Sequence, residues 1–326
     1  KLNTNENPYP PAPKAYEAAK AFDMDKLRLY PDPECSALVH SIAQYYGMDD
    51  NEVFTGVGSD DVLAMIFMTF FNSKKPILFP DITYSFYDVW ANMLRIPFET
   101  KALDDDFQIK KEDYYGENGG VVFPNPNAPT GILMPLSEIE DIIAHNRNVI
   151  VVVDEAYIDF GGESALPLIE KYDNLLVVQT FSKSRSLAGM RLGFAMGNEK
   201  LIRYINDVKY SFNSYTLNQT ALVLGVQAIR DREYFEETCA KVIATREWTK
   251  CELKKLGFSF GDSMSNFIFA THERVPAKEI FEVLREHNIF VRYFSKPRIS
   301  NYLRISIGTQ QEMERLTAFL AVFLGE

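Results

Sequence analysis

Short apolar runs alternate along the chain with stretches whose apolar residues return every three or four positions. Runs opening at Val53 and covering residues 76–80, 120–123, 149–153, 175–178 and 192–196 predict strands. Helical spacing predicts helices over 14–22, 36–46, 84–94 and 135–145, and a further one from the glycine turn at Gly58 through Phe71. Strands apolar on both faces and interleaved with helices build an α/β fold: a mainly parallel sheet with helices on both faces, whose ligands sit beyond the carboxyl ends of the strands. Past Gly225 the pattern changes. A long amphipathic helix over 232–255, short strands at 258–260, 266–270, 290–291 and 302–307, and helices at 276–287 and 310–324 predict a smaller α+β domain. The expected division is a large domain over 28–225 and, from 1–27 plus 226–326, an N-terminal arm packed on a small domain.

Composition agrees with that division. A chain of 326 residues, 46% hydrophobic, exceeds one ordinary core, so two domains sharing a cleft are expected. No apolar run reaches membrane-spanning length, and the start does not resemble a secretory signal. The first residue is Lys1 rather than Met, so part of a natural amino terminus is expected to be missing. Cys35, Cys239 and Cys251 are odd in number and far apart, which argues for a reducing cytoplasm. They lack metal-ligand spacing, as do His40, His145, His272 and His287, so no metal is expected. A net charge of −11 excludes bulk attraction to nucleic acid. The exception is local: Arg292, Lys296, Arg298 and Arg304 fall in one stretch without an acid, either a solvated basic face or an anion site.

The candidate chemistry follows the strands. After 175–178 comes Thr180-Phe181-Ser182-Lys183, followed by Gly189-Met190-Arg191-Leu192-Gly193 and the next strand. A lysine held at a sheet edge among hydroxyls and glycines can form a Schiff base with a carbonyl, for which pyridoxal phosphate is the usual partner; taken alone, it is better read as a surface lysine in a polar loop. Asp154 abuts five apolar residues, so its carboxylate is expected to be buried and to need a cationic partner such as a protonated pyridine; the alternative is a helix cap. Gly58 lets backbone approach a phosphate, and Ser59, expected at the helix cap, aims a hydroxyl and free N–H groups the same way. Asp60 and Asp61 suit the helix dipole but would repel a phosphate, so they are expected to point elsewhere. The prolines of 124–131 make a rigid loop presenting Asn127. Tyr30, held between Leu29 and Pro31, either contacts a partner or packs on the next helix. Residues 3–11 read as an extended arm.

Asn-Ala-Pro-Thr-Gly, Asp-Glu-Ala-Tyr, Ser-Lys and Gly-Met-Arg-Leu-Gly, in that order, resemble the fold-type I pyridoxal-phosphate aminotransferases. The opening Leu-Asn-Thr-Asn-Glu-Asn-Pro-Tyr-Pro, with Leu-Tyr-Pro-Asp-Pro, Gly-Val-Gly-Ser-Asp-Asp and Tyr-Leu-Arg-Ile-Ser-Ile-Gly, is similar more narrowly to the histidinol-phosphate aminotransferases over nearly the whole chain. The resemblance implies that Lys183 bonds the cofactor and then shuttles a proton, and that Asp154 pairs with its pyridine nitrogen. It implies that Asn127 and Tyr157 bond its ring oxygen and Tyr84 stacks on its ring. Gly58, Ser59, Asp60, Ser182 and Arg191 would complete the cofactor set, with Tyr30 reaching the phosphate from the other subunit of a homodimer. Tyr9, Asn127, Arg292 and Arg304 would bind the substrates, histidinol phosphate and glutamate or 2-oxoglutarate. One departure stands out: many relatives carry a second asparagine where this chain has Ala128. A threonine-phosphate decarboxylase and an aromatic-amino-acid aminotransferase are the enzymatic alternatives. A ligand-sensing domain of a transcription regulator is disfavoured by the acidic charge and the missing helix-turn-helix segment.

Overall fold

The computed structural model describes residues 1–325; Glu326, the last residue of the expected second unit, lies outside them. In chain order the elements of the first part are α1 (Pro13–Lys20), α2 (Ser36–Tyr46), β1 (Val53–Gly56), α3 (Gly58–Phe70), β2 (Ile77–Pro80), α4 (Tyr87–Leu94), β3 (Phe98–Lys101) and β4 (Gly120–Pro124). Then come α5 (Leu136–His145), β5 (Val151–Asp154), β6 (Leu175–Thr180), β7 (Gly193–Gly197), α6 (Glu199–Phe212) and α7 (Gln219–Arg230).

These strands form one sheet in the order β1-β7-β6-β5-β4-β2-β3. The pairings from β6 through β3 are parallel, while β7 runs antiparallel to both its neighbours, β1 and β6. Alternate residues of a strand serve two cores. Val151 and Val153 face a core shared with Ile42 of α2, Ile142 of α5 and Ala221 of α7. Val152 faces the other core, with Ile66 of α3, Trp90 of α4 and Ile205 of α6. Burial on both sides is why the strands read as continuous apolar runs instead of alternating.

The second part comprises α8 (Arg232–Lys255), β8 (Phe258–Phe260), β9 (Phe267–His272), α9 (Ala277–Glu286), β10 (Arg292–Tyr293), β11 (Leu303–Ser306) and α10 (Gln310–Leu324). Its antiparallel sheet has the order β10-β11-β9-β8. The third of the expected short strands begins later than the apolar pair 290–291, because pairing starts where Arg292 comes opposite Arg304. Strand β3 and helices α6 and α7 are additions to the sequence reading. The arm joins the small sheet, with Leu2 N–H donating to the Phe290 carbonyl at 2.6 Å and Ser306 N–H to the Leu2 carbonyl at 3.0 Å. Helix α1 instead packs along α7.

Candidate active site

Asp154 closes β5 and Lys183 follows the neighbouring strand β6, so the fold delivers both to the carboxyl edge of the sheet. One cavity of about 210 Å³ joins them with Ser59, Asp60, Tyr84, Ala128, Tyr157, Ser182 and Arg191, and with Thr4 and Glu6 from the arm. Open grooves of about 670 and 740 Å³ lie elsewhere, and their walls contain neither Lys183 nor Asp154.

Asp154 is 5% exposed. Its Oδ2 accepts the Tyr87 hydroxyl at 2.9 Å and its Oδ1 the Ala156 N–H at 3.2 Å. Burial pushes the carboxyl up to about 6, while those two hydrogen bonds pull it down. Neither partner is a cation, so the carboxylate remains fitted to one. It caps no α-helix. Lys183 extends its Nζ to 3.4 Å from the Thr4 carbonyl and to 5.6 Å from the centre of the Tyr157 ring. The arm pins its backbone, because Asn7 Nδ2 donates to the carbonyls of Lys183 at 3.0 Å and Ser184 at 3.2 Å.

At the other end stands the amino terminus of α3. The helix begins at Gly58, so Ser59 is its second residue and not its cap, which is Val57. Gly58 has φ +81°, and a Cβ there would lie 2.5 Å from Nη2 of Arg191. Arg191 Nη1 lies 3.4 Å from the Ser182 hydroxyl and Nη2 3.2 Å from Asp60 Oδ2. Asp60 therefore points into the cavity, contrary to the expectation that it turn away. It can do so because the guanidinium offsets its charge, and it also accepts the Tyr84 hydroxyl at 2.6 Å. Asp61 does turn away and takes the Val57 N–H at 2.9 Å.

The structure does not bring Asn127 into the cavity. Its Nδ2 donates to the Ile82 carbonyl at 2.9 Å and to Thr130 at 3.1 Å, and its Oδ1 accepts the Thr83 hydroxyl at 3.1 Å. These bonds tie the proline-rich loop to the segment that follows β2, and Ala128 presents the wall instead. Tyr157 is 8% exposed, with its oxygen accepting from Asn5 Nδ2 at 3.0 Å and its ring edge-on to Phe267 at 5.1 Å. Arg304 places its guanidinium 5.4 Å from the Phe267 ring and is not among the residues lining the cavity. Arg304 donates from Nη2 to the Asn3 carbonyl at 3.2 Å, and its buried Nε has no partner among the described residues. Arg292 is exposed beside it on the paired strand. Tyr9 lies off the cavity, with Lys241 Nζ 5.5 Å from its ring centre. Tyr30 is 81% exposed and stacks on Tyr215 at 4.7 Å, away from the cavity of its own chain. Sequence reasoning missed Tyr87 and Asn5. The first sits in a helical run where it looks like any core aromatic, and the second lies in an arm whose partners are distant in sequence.

The residues fit pyridoxal phosphate. A buried carboxylate, an amine at the end of the next strand, and a helix amino terminus with an arginine and a glycine that leaves room match the ring nitrogen, carbonyl and phosphate of that molecule. The family model for aminotransferase class I and II matches residues 1–320, and the chain belongs to that family of pyridoxal-phosphate-dependent transaminases. Its branch is that of the histidinol-phosphate aminotransferases. The enzyme of that name from Clostridium botulinum is 54% identical over 314 residues, 96% of this chain and 89% of its own length. Histidinol-phosphate aminotransferase 1 of Hydrogenovibrio crunogenus is 54% identical over 324 residues, 99% of this chain and 91% of its own. Among solved structures, the histidinol-phosphate aminotransferase of Clostridium acetobutylicum aligns with a TM-score of 0.91 at 22% identity, covering 99% of this chain and 98% of that one. That likeness speaks for the fold alone.

Proposed function

We propose that the chain transfers the amino group of histidinol phosphate to 2-oxoglutarate, giving imidazole acetol phosphate and glutamate, as a step of histidine biosynthesis. The observation that carries this reading is the joining of Lys183, Asp154 and Arg191 in one cavity of a chain 54% identical to enzymes of that name. The decarboxylase and aromatic-aminotransferase alternatives have no comparable support.

Bound pyridoxal phosphate supplies a carbonyl for the amine and an electron-withdrawing ring for the carbon that loses its proton. Each step at that carbon then falls to residues of the chain. Lys183 Nζ would hold the cofactor and, with substrate bound, would take the proton from the substrate carbon. The Asp154 carboxylate holds the proton on the pyridine nitrogen. Ser59, Ser182, Arg191 and the amino terminus of α3 would hold the phosphate, and Arg191 offers a fork that lysine could not. Tyr157 would donate to the ring oxygen and Tyr84 would lie against the ring. Arg304, with Arg292 and Tyr9, receives the substrate anion, which is a phosphate in one half-reaction and a carboxylate in the other. The enzyme works in the cytoplasm as a homodimer in which the exposed Tyr30 serves the neighbouring cavity. Residues 28–225 carry the cofactor, and 1–27 with 226–326 form the arm and small domain.

The test is an absorbance titration of the purified protein with pyridoxal phosphate, followed by glutamate and by histidinol phosphate separately. Each amine is expected to convert the visible band to that of the pyridoxamine form. A band that responds to glutamate and ignores histidinol phosphate would remove the substrate assignment.

A further inference from the structure

Asn5 is the most heavily bonded residue of the arm. Its backbone N–H donates to the Ser306 hydroxyl oxygen at 2.9 Å, and its carbonyl accepts from Asn266 Nδ2 at 3.0 Å. The Ser306 hydroxyl in turn donates to Asn5 Oδ1 at 2.8 Å. With Oδ1 committed as acceptor, the amide can only present Nδ2 to Tyr157, whose oxygen lies 3.0 Å away. Asn5 is 1% exposed and sits at φ +55°, a left-handed conformation that asparagine tolerates better than most residues. Three of its bonds run to the small sheet or its flank, and the fourth runs to the cavity.

That fourth bond decides where a proton points. Because Nδ2 donates to the phenol oxygen, the phenol's own hydrogen must leave in another direction. Of the other hydroxyls lining the cavity, Thr4 donates to Glu6 at 2.8 Å, Tyr84 to Asp60 at 2.6 Å and Thr180 to the Leu192 carbonyl at 3.2 Å, while those of Ser59 and Ser182 lie at the Arg191 end. The facing wall is Ala128, whose side chain has nothing to donate, and the Asn127 amide is spent on the Ile82 carbonyl and Thr130.

We propose that Asn5 is a positioning residue: by donating to Tyr157 it directs the phenol's proton into the cavity, toward the cofactor's ring oxygen, and so couples docking of the arm on the small sheet to the chemistry of the site. The proposal rests on the reading of Tyr157 given above.

The experiment is a pH titration of the absorbance of lysine-bound pyridoxal phosphate. A donor at the ring oxygen favours the form in which the lysine nitrogen has lost its proton, so removing the donor raises the midpoint. Tyr157→Phe is expected to raise it by roughly one pH unit, the scale of a lost hydrogen bond to a charged oxygen. Asn5→Gly keeps the left-handed backbone and its two backbone bonds, and is expected to raise the midpoint by more than half of that shift. Added to Tyr157→Phe, it should raise it no further. Asn5→Asp, which keeps the shape but turns the donor into an acceptor, is a second route to the same rise should Asn5→Gly fail to fold. Ala128→Asn placed in the Asn5→Gly protein adds an amide on the facing wall and should bring the midpoint back down; no recovery would mean that Asn5→Gly acts by disturbing the site and not by removing a donor. If Tyr157→Phe moves the midpoint while the folded Asn5 variants titrate as wild type, the Asn5 proposal is overturned. If Tyr157→Phe itself has no effect, the Tyr157 reading fails first.

Discussion

Tyr87 and Asp154 are joined by a 2.9 Å hydrogen bond between a helix on one face of the sheet and the end of its strand β5. The phenol steadies a carboxylate that burial works against, yet leaves it short of a cation. In the protein without cofactor this is a destabilising arrangement. The folded-state carboxyl lies near 6 against an ordinary 3.8, so the cost is absent below pH 4, grows as pH rises between those values and is complete above about 6. The two-unit gap corresponds to about 3 kcal/mol. Asp154→Asn should therefore stabilise the apoprotein at pH 8 by up to about 3 kcal/mol and make little difference at pH 4. Urea melts of the two proteins at both pH values check this. Comparing variant with wild type cancels other buried acids such as Glu155, whose carboxyl is pushed up to about 7. The same substitution should lower the transamination rate at least about 100-fold, because an amide cannot hold the ring nitrogen's proton.

Gly58 and Gly193 make a cradle that side chains would fill. A Cβ at Gly58 meets Arg191 Nη2 at 2.5 Å, the tip of a flexible side chain, although the φ of +81° adds strain. Gly58→Ala should fold but bind pyridoxal phosphate about 10- to 100-fold more weakly, read by fluorescence titration. A Cβ at Gly193 meets backbone instead, Ser59 N at 2.3 Å and Gly58 C at 2.4 Å. Gly193→Ala should consequently cost about 2 to 4 kcal/mol of stability in a urea melt, since α3 must shift off β7.

Much of this was legible in the sequence where the controlling contacts are local. Asp154 follows five apolar residues, and Lys183 sits between two strands, so sequence adjacency placed both at the carboxyl edge of the sheet. Tyr87 and Asn5 escaped because their partners, Asp154 and Tyr157, are 67 and 152 positions away. Asn127 misled for a related reason: the loop looks built to present it, but its amide bonds Ile82 and Thr83, 45 and 44 positions away, as well as Thr130 of its own loop. Asp60 was expected to avoid the phosphate end by charge alone. Only the geometry shows that Arg191 stands 3.2 Å from it.

Arg191 reaches Ser182, Asp60 and the space above Gly58 with two nitrogens of one planar group. A lysine can serve one of those directions at a time. Arg191→Lys is expected to weaken cofactor binding about tenfold or more while leaving the urea midpoint of the apoprotein nearly unchanged. Equal losses in affinity and in stability would show that Arg191 supports the fold instead.

Arg304 and Arg292 are opposite each other on paired strands but differ in burial. The Arg304 Nε is enclosed and has no partner among the described residues, so an anion there gains a hydrogen bond in a poorly solvated setting, whereas Arg292 is exposed and screened by water. Arg304→Ala should therefore lower kcat/KM about 100-fold or more in both half-reactions, and Arg292→Ala by about tenfold or less. Stopped-flow measurement of each half-reaction separates the two. Loss of activity with glutamate alone in Arg304→Ala would mean that the carboxylate and the phosphate are held by different residues, and the shared site proposed for them would be wrong.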